Sequence, residues 1–199
     1  MAVEIEAKMR LHNPDALIAR LEELGATLKD KLSETNSYFD TPLGSLKSTD
    51  QGLRTRVEVA NAGSPDQTIT TRITHKGPRT MGQLKSRLES ELDVDNARDA
   101  AVLLGALGYQ HVLSFEKRRV RYLLDDCLVE LDELPVIGRF VEIEGNSEAA
   151  VIAVREKLGL ADEPIIRSSY IAMLKTHQQE SHSSESLIKF DDAASVMQG

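Results

Sequence analysis

The chain reads as an α+β protein in which about eight antiparallel β-strands form one sheet with helices packed against it. Three observations predict this class. Charged and apolar residues alternate with period two through most of about eight strand-like segments, as in strands that bury one face. Three other segments carry apolar residues at helical spacing and stop at Leu-Gly. The links at residues 60–66 and at Asp125-Asp126 have the short, polar composition of hairpin connections. With 199 residues the chain is long enough for one compact domain with a sizeable core.

The first strand is expected over residues 3–9, where Glu4, Glu6 and Lys8 share a face. Asn13-Pro14-Asp15 supplies a helix N-cap and a proline at the first helical position, and Leu17, Ile18, Leu21 and Leu24 continue the helix to Gly25. Tyr38-Phe39-Asp40 marks the end of a second strand, and Thr41-Pro42-Leu43-Gly44 is a turn. Residues 53–59 set Arg54, Arg56 and Glu58 against Leu53, Thr55, Val57 and Val59. Residues 68–76 repeat the pattern with Arg72, Thr74 and Lys76, and Gly77-Pro78 stops it. The longest charged face follows at 84–94, with Lys85, Arg87, Glu89, Glu91 and Asp93 in step. A second helix runs from Asp95-Asn96 to Gly108, strands are expected at 114–124, 127–134 and 139–143, and a third helix spans 147–158. A last short helix is expected at 168–175, and the polar residues 177–199 read as a mobile tail in which 187–190 dock weakly.

Lys and Arg number 24 against 32 Asp and Glu, for a formal charge of −8, so the long-range field repels nucleic acid and acidic membranes. An anionic ligand then needs a local basic cluster, divalent cations, or both. The N-terminus opens with alternating carboxylates and lacks the layout of a secretory signal, and no apolar run is long enough to span a bilayer. The cytoplasm is the expected location. Cys127 is the single cysteine, which excludes an internal disulfide framework or a multi-thiolate zinc site.

Two arrangements of the charged faces are compatible with this pattern. An open antiparallel sheet would show them to water; eight strands closed into a barrel would turn them inward. In the closed form, like charges about 4 Å apart repel by about 4 kcal/mol at an effective dielectric near 20, so cations must meet the acids and anions must meet the bases. A metal–polyphosphate complex supplies both, because carboxylates are hard oxygen ligands and Arg forks suit phosphate.

The opening Glu4-Ile5-Glu6-Ala7-Lys8 resembles the Glu-x-Glu-x-Lys signature of the CYTH superfamily, the triphosphate tunnel metalloenzymes. The later segments are similar in the same order: Tyr38-Phe39-Asp40-Thr41, Leu53-Arg54-Thr55-Arg56, Thr74-His75-Lys76-Gly77-Pro78, Arg87-Leu88-Glu89-Ser90-Glu91, Lys117-Arg118-Arg119, Leu131-Asp132-Glu133, Phe140-Val141-Glu142-Ile143-Glu144 and Ser169-Tyr170. The resemblance covers roughly residues 1–176, a single domain, and leaves 177–199 outside it. It implies an eight-stranded antiparallel β-barrel, a tunnel with helices outside and a triphosphate with two Mg²⁺ or Mn²⁺ ions within.

Carried over position by position, Lys8, Arg54, Arg56, Lys76, Arg87, Lys117 and Arg119 bind phosphate oxygens. Glu4, Glu6, Asp132, Glu142 and Glu144 bind or orient metal. Glu89 and Glu91 support metal or position water, and Lys8 with Tyr38 stands where the thiamine triphosphatases activate water; a strand aromatic with a satisfied hydroxyl is an equal account of Tyr38. Leu88 stands where many members have a carboxylate, on the face away from the lumen. Hydrolysis of tripolyphosphate or a nucleoside triphosphate is the expected reaction, with class IV adenylyl cyclase chemistry and non-catalytic polyphosphate binding as alternatives. Dimers are common in the resembling family. Arg56→Ala is expected to weaken phosphate binding and to relieve repulsion among the bases.

Overall fold

The computed structural model describes residues 2–80 and 84–191. Eight strands, β1 (Ala2–Arg10), β2 (Thr27–Asp40), β3 (Gly52–Ala60), β4 (Thr68–Lys76), β5 (Lys85–Val94), β6 (Gln110–Leu124), β7 (Cys127–Leu134) and β8 (Gly138–Gly145), run in the order β2-β3-β4-β5-β1-β8-β7-β6. Every neighbouring pair is antiparallel, and β2 pairs with β6 over most of its length, so the sheet closes on itself. The barrel of the two arrangements is the one the chain adopts. The charged faces therefore turn inward: Glu6, Lys8, Arg54, Arg87, Lys117, Arg119 and Glu142 are all buried.

Five helices among the described residues lie outside the strands: α1 (Pro14–Glu23), α2 (Ser45–Ser48), α3 (Ala97–Ala106), α4 (Glu148–Lys157) and α5 (Tyr170–Glu180). Asn13, Asn96, Ser147 and Ser169 cap α1, α3, α4 and α5 through their side chains, satisfying amides that the first turn leaves open. The Leu-Gly repeats end α1, α3 and α4. Gly25, Gly108 and Gly159 take φ of 74°, 90° and 73°, the left-handed conformation that closes a helix. Outside the barrel, Leu17 and Leu21 of α1 and Val151 and Val154 of α4 pack with Ala7, Met9, Val129, Val141 and Ile143. The largest apolar core thus sits between the strands' outer faces and the helices, while the interior holds charge.

Several features add to or differ from expectation. β2 begins at Thr27, well before the Tyr38-Phe39-Asp40 segment legible as strand; its buried positions between Leu32 and that segment are Glu34 and Asn36, so apolar periodicity is silent there. Strand β6 starts at Gln110, and the short α2 follows the turn at residues 41–44. One end of the barrel is apolar: Leu113 and Phe115, in step with Lys117 and Arg119 on β6, cluster with Leu134, Phe140 and the α5 residues Tyr170 and Leu174. Beyond residue 176, α5 continues to Glu180, and β9 (Leu187–Ile188), within the segment expected to dock, pairs in parallel with β6 and buries Ile188 in that same cluster. Phe190 adds a backbone N–H donated to Glu116 at 2.9 Å and a ring 4.0 Å from the Arg118 guanidinium.

Candidate active site

A cavity of about 940 Å³ runs inside the barrel. The two-residue period of each strand delivers its wall. All seven expected phosphate contacts line it: Lys8 from β1, Arg54 and Arg56 from β3, Lys76 from β4, Arg87 from β5, and Lys117 with Arg119 from β6. Glu6, Glu142 and Glu144 line it as well, as do Glu89, Glu91 and Tyr38. Two expected metal ligands do not join them. The side chain of Glu4 lies outside the described residues, although its backbone pairs with Arg87. Asp132, 1% exposed, is held behind the wall: it takes both Nε and Nη2 of Arg119 at 2.5 Å, lies 3.5 Å from Lys117 and accepts a 2.8 Å hydrogen bond from the Tyr170 hydroxyl.

Much of the positive charge is compensated inside the protein. Lys8 Nζ lies 3.1 Å from Glu142, donates to the Ser168 carbonyl at 3.2 Å and sits 3.7 Å over the Tyr170 ring. Arg119 also pairs with Glu130 and, at 2.6 Å, with Glu142. Arg56 meets Glu34 at 3.2 Å and Glu58 at 3.0 Å, Lys76 pairs with Glu89, and Glu91 is shared between Arg72 at 3.1 Å and Thr74 at 3.0 Å.

Two guanidinium groups of the wall are different. The Nε atoms of Arg54 and Arg87 are buried and have no hydrogen-bond partner among the described residues. Arg87 has Asp50 at 3.7 Å, and Arg54 has no ion pair among the described residues. A buried donor left in this way carries a desolvation cost that an anionic ligand would remove.

The enclosed charges perturb one another's titration. Burial pushes Lys117 down from the usual lysine range, with neighbouring Arg119 adding to the effect against Asp132 and Glu34. Burial, only partly opposed by Arg119, pushes Glu130 up to about 8. For Glu34 burial acts upward too, but Arg56, Lys117 and Arg119 outweigh it and hold the carboxyl well below the usual range.

The acids suit a hard divalent cation. Glu6 on β1 faces Glu144 on β8 in direct register, next to the Lys8 and Glu142 pair, and all the donors are carboxylate oxygens. Among the described residues no three acidic, His or Cys groups already converge as a metal cage. The donor chemistry fits a hard divalent cation such as Mg²⁺ or Mn²⁺.

Sequence reasoning missed three residues of this network. Glu34 and Asn36 lie two and one strand periods before Tyr38, and Glu130 lies one period before Asp132, so step-counting from the motifs would have found them. Tyr170 was noted only as part of a motif; the aromatic ring that meets the Lys8 ammonium is its ring, while Tyr38 stacks on Phe115 at 5.9 Å. As expected, Leu88 faces away from the lumen and is 45% exposed. His75 bonds to Gln51 at 2.9 Å.

The model of the CYTH domain matches residues 2–172. The chain is 34% identical over 159 residues to the adenylate cyclase CyaB of Aeromonas hydrophila, covering 78% of this chain and 76% of that one. It is 34% identical over 114 residues to human thiamine-triphosphatase, covering 53% of this chain and 48% of that protein. The solved structure of the PH1819 protein of Pyrococcus horikoshii superposes with a TM-score of 0.75 at 26% identity, over 87% of this chain and 99% of that one. A Hippeastrum protein described as having a dominant triphosphatase activity superposes at 0.65 with 21% identity, covering 87% and 96%.

Proposed function

The chain belongs to the CYTH family, and from that premise we propose that it is a metal-dependent hydrolase of triphosphates, with inorganic tripolyphosphate or a nucleoside triphosphate as substrate. One observation carries the reading: the buried guanidinium groups of Arg54 and Arg87 face a cavity with Nε atoms that have no partner among the described residues. A polyphosphate chain would satisfy both through charge-assisted, two-pronged hydrogen bonds.

In this reading Arg54, Arg56, Lys76, Arg87, Lys117, Arg119 and Lys8 bind the phosphate oxygens and neutralise the charge that spreads over them during transfer. Glu6, Glu142 and Glu144 would hold Mg²⁺ or Mn²⁺, and Glu4 is assigned with them from its place in the sequence motif. When bound, the metal supplies polarisation of phosphoryl oxygens and a lowered pKa for attacking water. Asp132 is reassigned: with both oxygens engaged by Arg119, it aims that base and Lys117 at the cavity. Glu89 and Glu91 would support metal or position water, and Lys8 with Tyr38, both in the cavity lining, would be the water-activating pair, although the ring that meets the Lys8 ammonium is that of Tyr170. Much of the acceleration is then positioning, since the donors are set before substrate arrives.

Cyclisation of ATP is the second reading, and the identity to the Aeromonas adenylate cyclase favours it. Both reactions would use the same wall of bases and differ in which phosphorus is attacked. Incubation with Mg²⁺ or Mn²⁺ and either tripolyphosphate or ATP, followed by resolution of phosphate, pyrophosphate and cyclic AMP, separates them. Phosphate is the expected product. Cyclic AMP with pyrophosphate would replace hydrolysis by cyclisation, and binding of either compound without turnover would leave a polyphosphate-binding protein.

A further inference from the structure

Behind the cavity wall stands a carboxylate with no role so far, Glu34. Its side chain is 0% exposed, and it is not among the residues that line the cavity. One oxygen, Oε1, is held by charge alone, 3.1 Å from Nζ of Lys117 and 3.7 Å from Nε of Arg119, with no hydrogen-bond partner among the described residues. The other, Oε2, lies 3.2 Å from Nε of Arg56 and accepts a 3.0 Å hydrogen bond from Nδ2 of Asn36. Asn36 in turn accepts from Nε of Arg56 at 2.8 Å. Strands β3 and β6 flank β2 in the barrel, and the register sets Glu34 beside Glu58 on one and Lys117 on the other. Three bases on two different strands are therefore tied to a single fork on the strand between them.

A carboxylate whose only task was to offset charge would not need its two oxygens divided in this way. Here the division fixes direction, because each base approaches the carboxylate from its own side while all three line the cavity. We propose that Glu34 is a positioning residue, which sets the spacing of Arg56, Lys117 and Arg119 so that they converge on the bound triphosphate without touching it itself. The proposal rests on the triphosphate reading above.

Its removal has two opposed effects on binding. The cavity gains net positive charge, which favours a polyanion, and the bases lose their common anchor, which does not. The transition state has no such compensation, since a misplacement of about 1 Å can cost roughly 100-fold in rate. Glu34→Gln keeps the side chain's size and one of its two oxygens. It should lower kcat about tenfold or more while KM for tripolyphosphate with Mg²⁺ changes less than about threefold. Glu34→Asp keeps the charge on a shorter arm and should fall between the two proteins, at least about threefold below wild type in kcat.

The test is steady-state kinetics of wild type, Glu34→Gln and Glu34→Asp, together with crystal structures of wild type and Glu34→Gln without ligand. A folded Glu34→Gln protein with kcat near wild type, or with only KM raised, overturns the proposal. If Glu34→Gln does not fold, an unchanged kcat in Glu34→Asp overturns it. If wild type turns over no triphosphate, the hydrolase reading fails and the crystal structures still judge Glu34. Base ends displaced in Glu34→Gln support the positioning role, and superimposable ones exclude it.

Discussion

Arg54 and Arg56 stand two residues apart on β3 and face the same bore, yet their replacement should have opposite consequences. Arg56 is tied to Glu34, Glu58 and Asn36, so Arg56→Ala leaves a buried carboxylate short of a partner and should cost about 3 kcal/mol. This reverses the relief of repulsion expected from sequence, because the acids that neutralise Arg56 come from β2 and from its own strand. Arg54 has no ion pair among the described residues, and Arg54→Ala should leave stability unchanged or raise it while weakening triphosphate binding about tenfold or more. Denaturant unfolding of both variants beside tripolyphosphate titrations checks the contrast; equal destabilisation would remove the distinction. At Glu6, which faces Glu144 across β1 and β8, Glu6→Gln should reduce turnover at least about 100-fold and raise the Mg²⁺ requirement with the fold kept. Activity within a few-fold of wild type would take Glu6 out of the metal set. The charged residues were legible because their alternation is local. Their partners were not, because pairing runs across strands far apart in the chain.

At the scale of elements, the caps and the Leu-Gly stops were readable because they act within one turn, and α1, α3 and α4 lie close to where the spacing sets them. Strand β2 was only partly readable. Its inward positions between Leu32 and Tyr38 are Glu34 and Asn36, which a search for apolar periodicity passes over, although they bury as completely as a core residue. The junction of β7, β8 and α4 shows a constraint that no pattern announces. A Cβ on Gly145 would stand 2.7 Å from Sγ of Cys127 and 3.1 Å from Cγ2 of Val151. Gly145→Ala should therefore destabilise the protein by about 1 to 3 kcal/mol through overpacking, which lowers Tm by roughly 2–4 °C per kcal/mol in a chain of this size. Thermal melts read this directly, and Gly145→Ala combined with Cys127→Ala should recover part of the loss. A melt of the single variant superimposable on wild type would show that the junction has slack.

For the molecule as a whole, burying a layer of charge makes stability depend on pH. Glu34 is fully buried with its pKa held well below the usual 4.5, so the folded state binds its proton less readily than the unfolded chain does. The stabilisation from this residue is complete above about 4.5 and is lost as pH falls below it, toward the depressed folded value. Denaturant midpoints measured from neutral to strongly acid pH should decline on the acid side, and less steeply in Glu34→Gln; parallel curves would show that other carboxylates dominate. The amino-acid sequence by itself determined which faces carry charge, where most helices begin and end, and which motif residues belong together, because each follows from spacing along a few turns or one strand. Only the tertiary structure decided that the sheet closes, that Asp132 and Glu34 stand behind the bases rather than among them, and that Arg54 and Arg87 keep buried donors without a partner among the described residues. Those outcomes depend on how strands remote in sequence fall into register around a closed ring, and the order of residues along one strand does not contain that information.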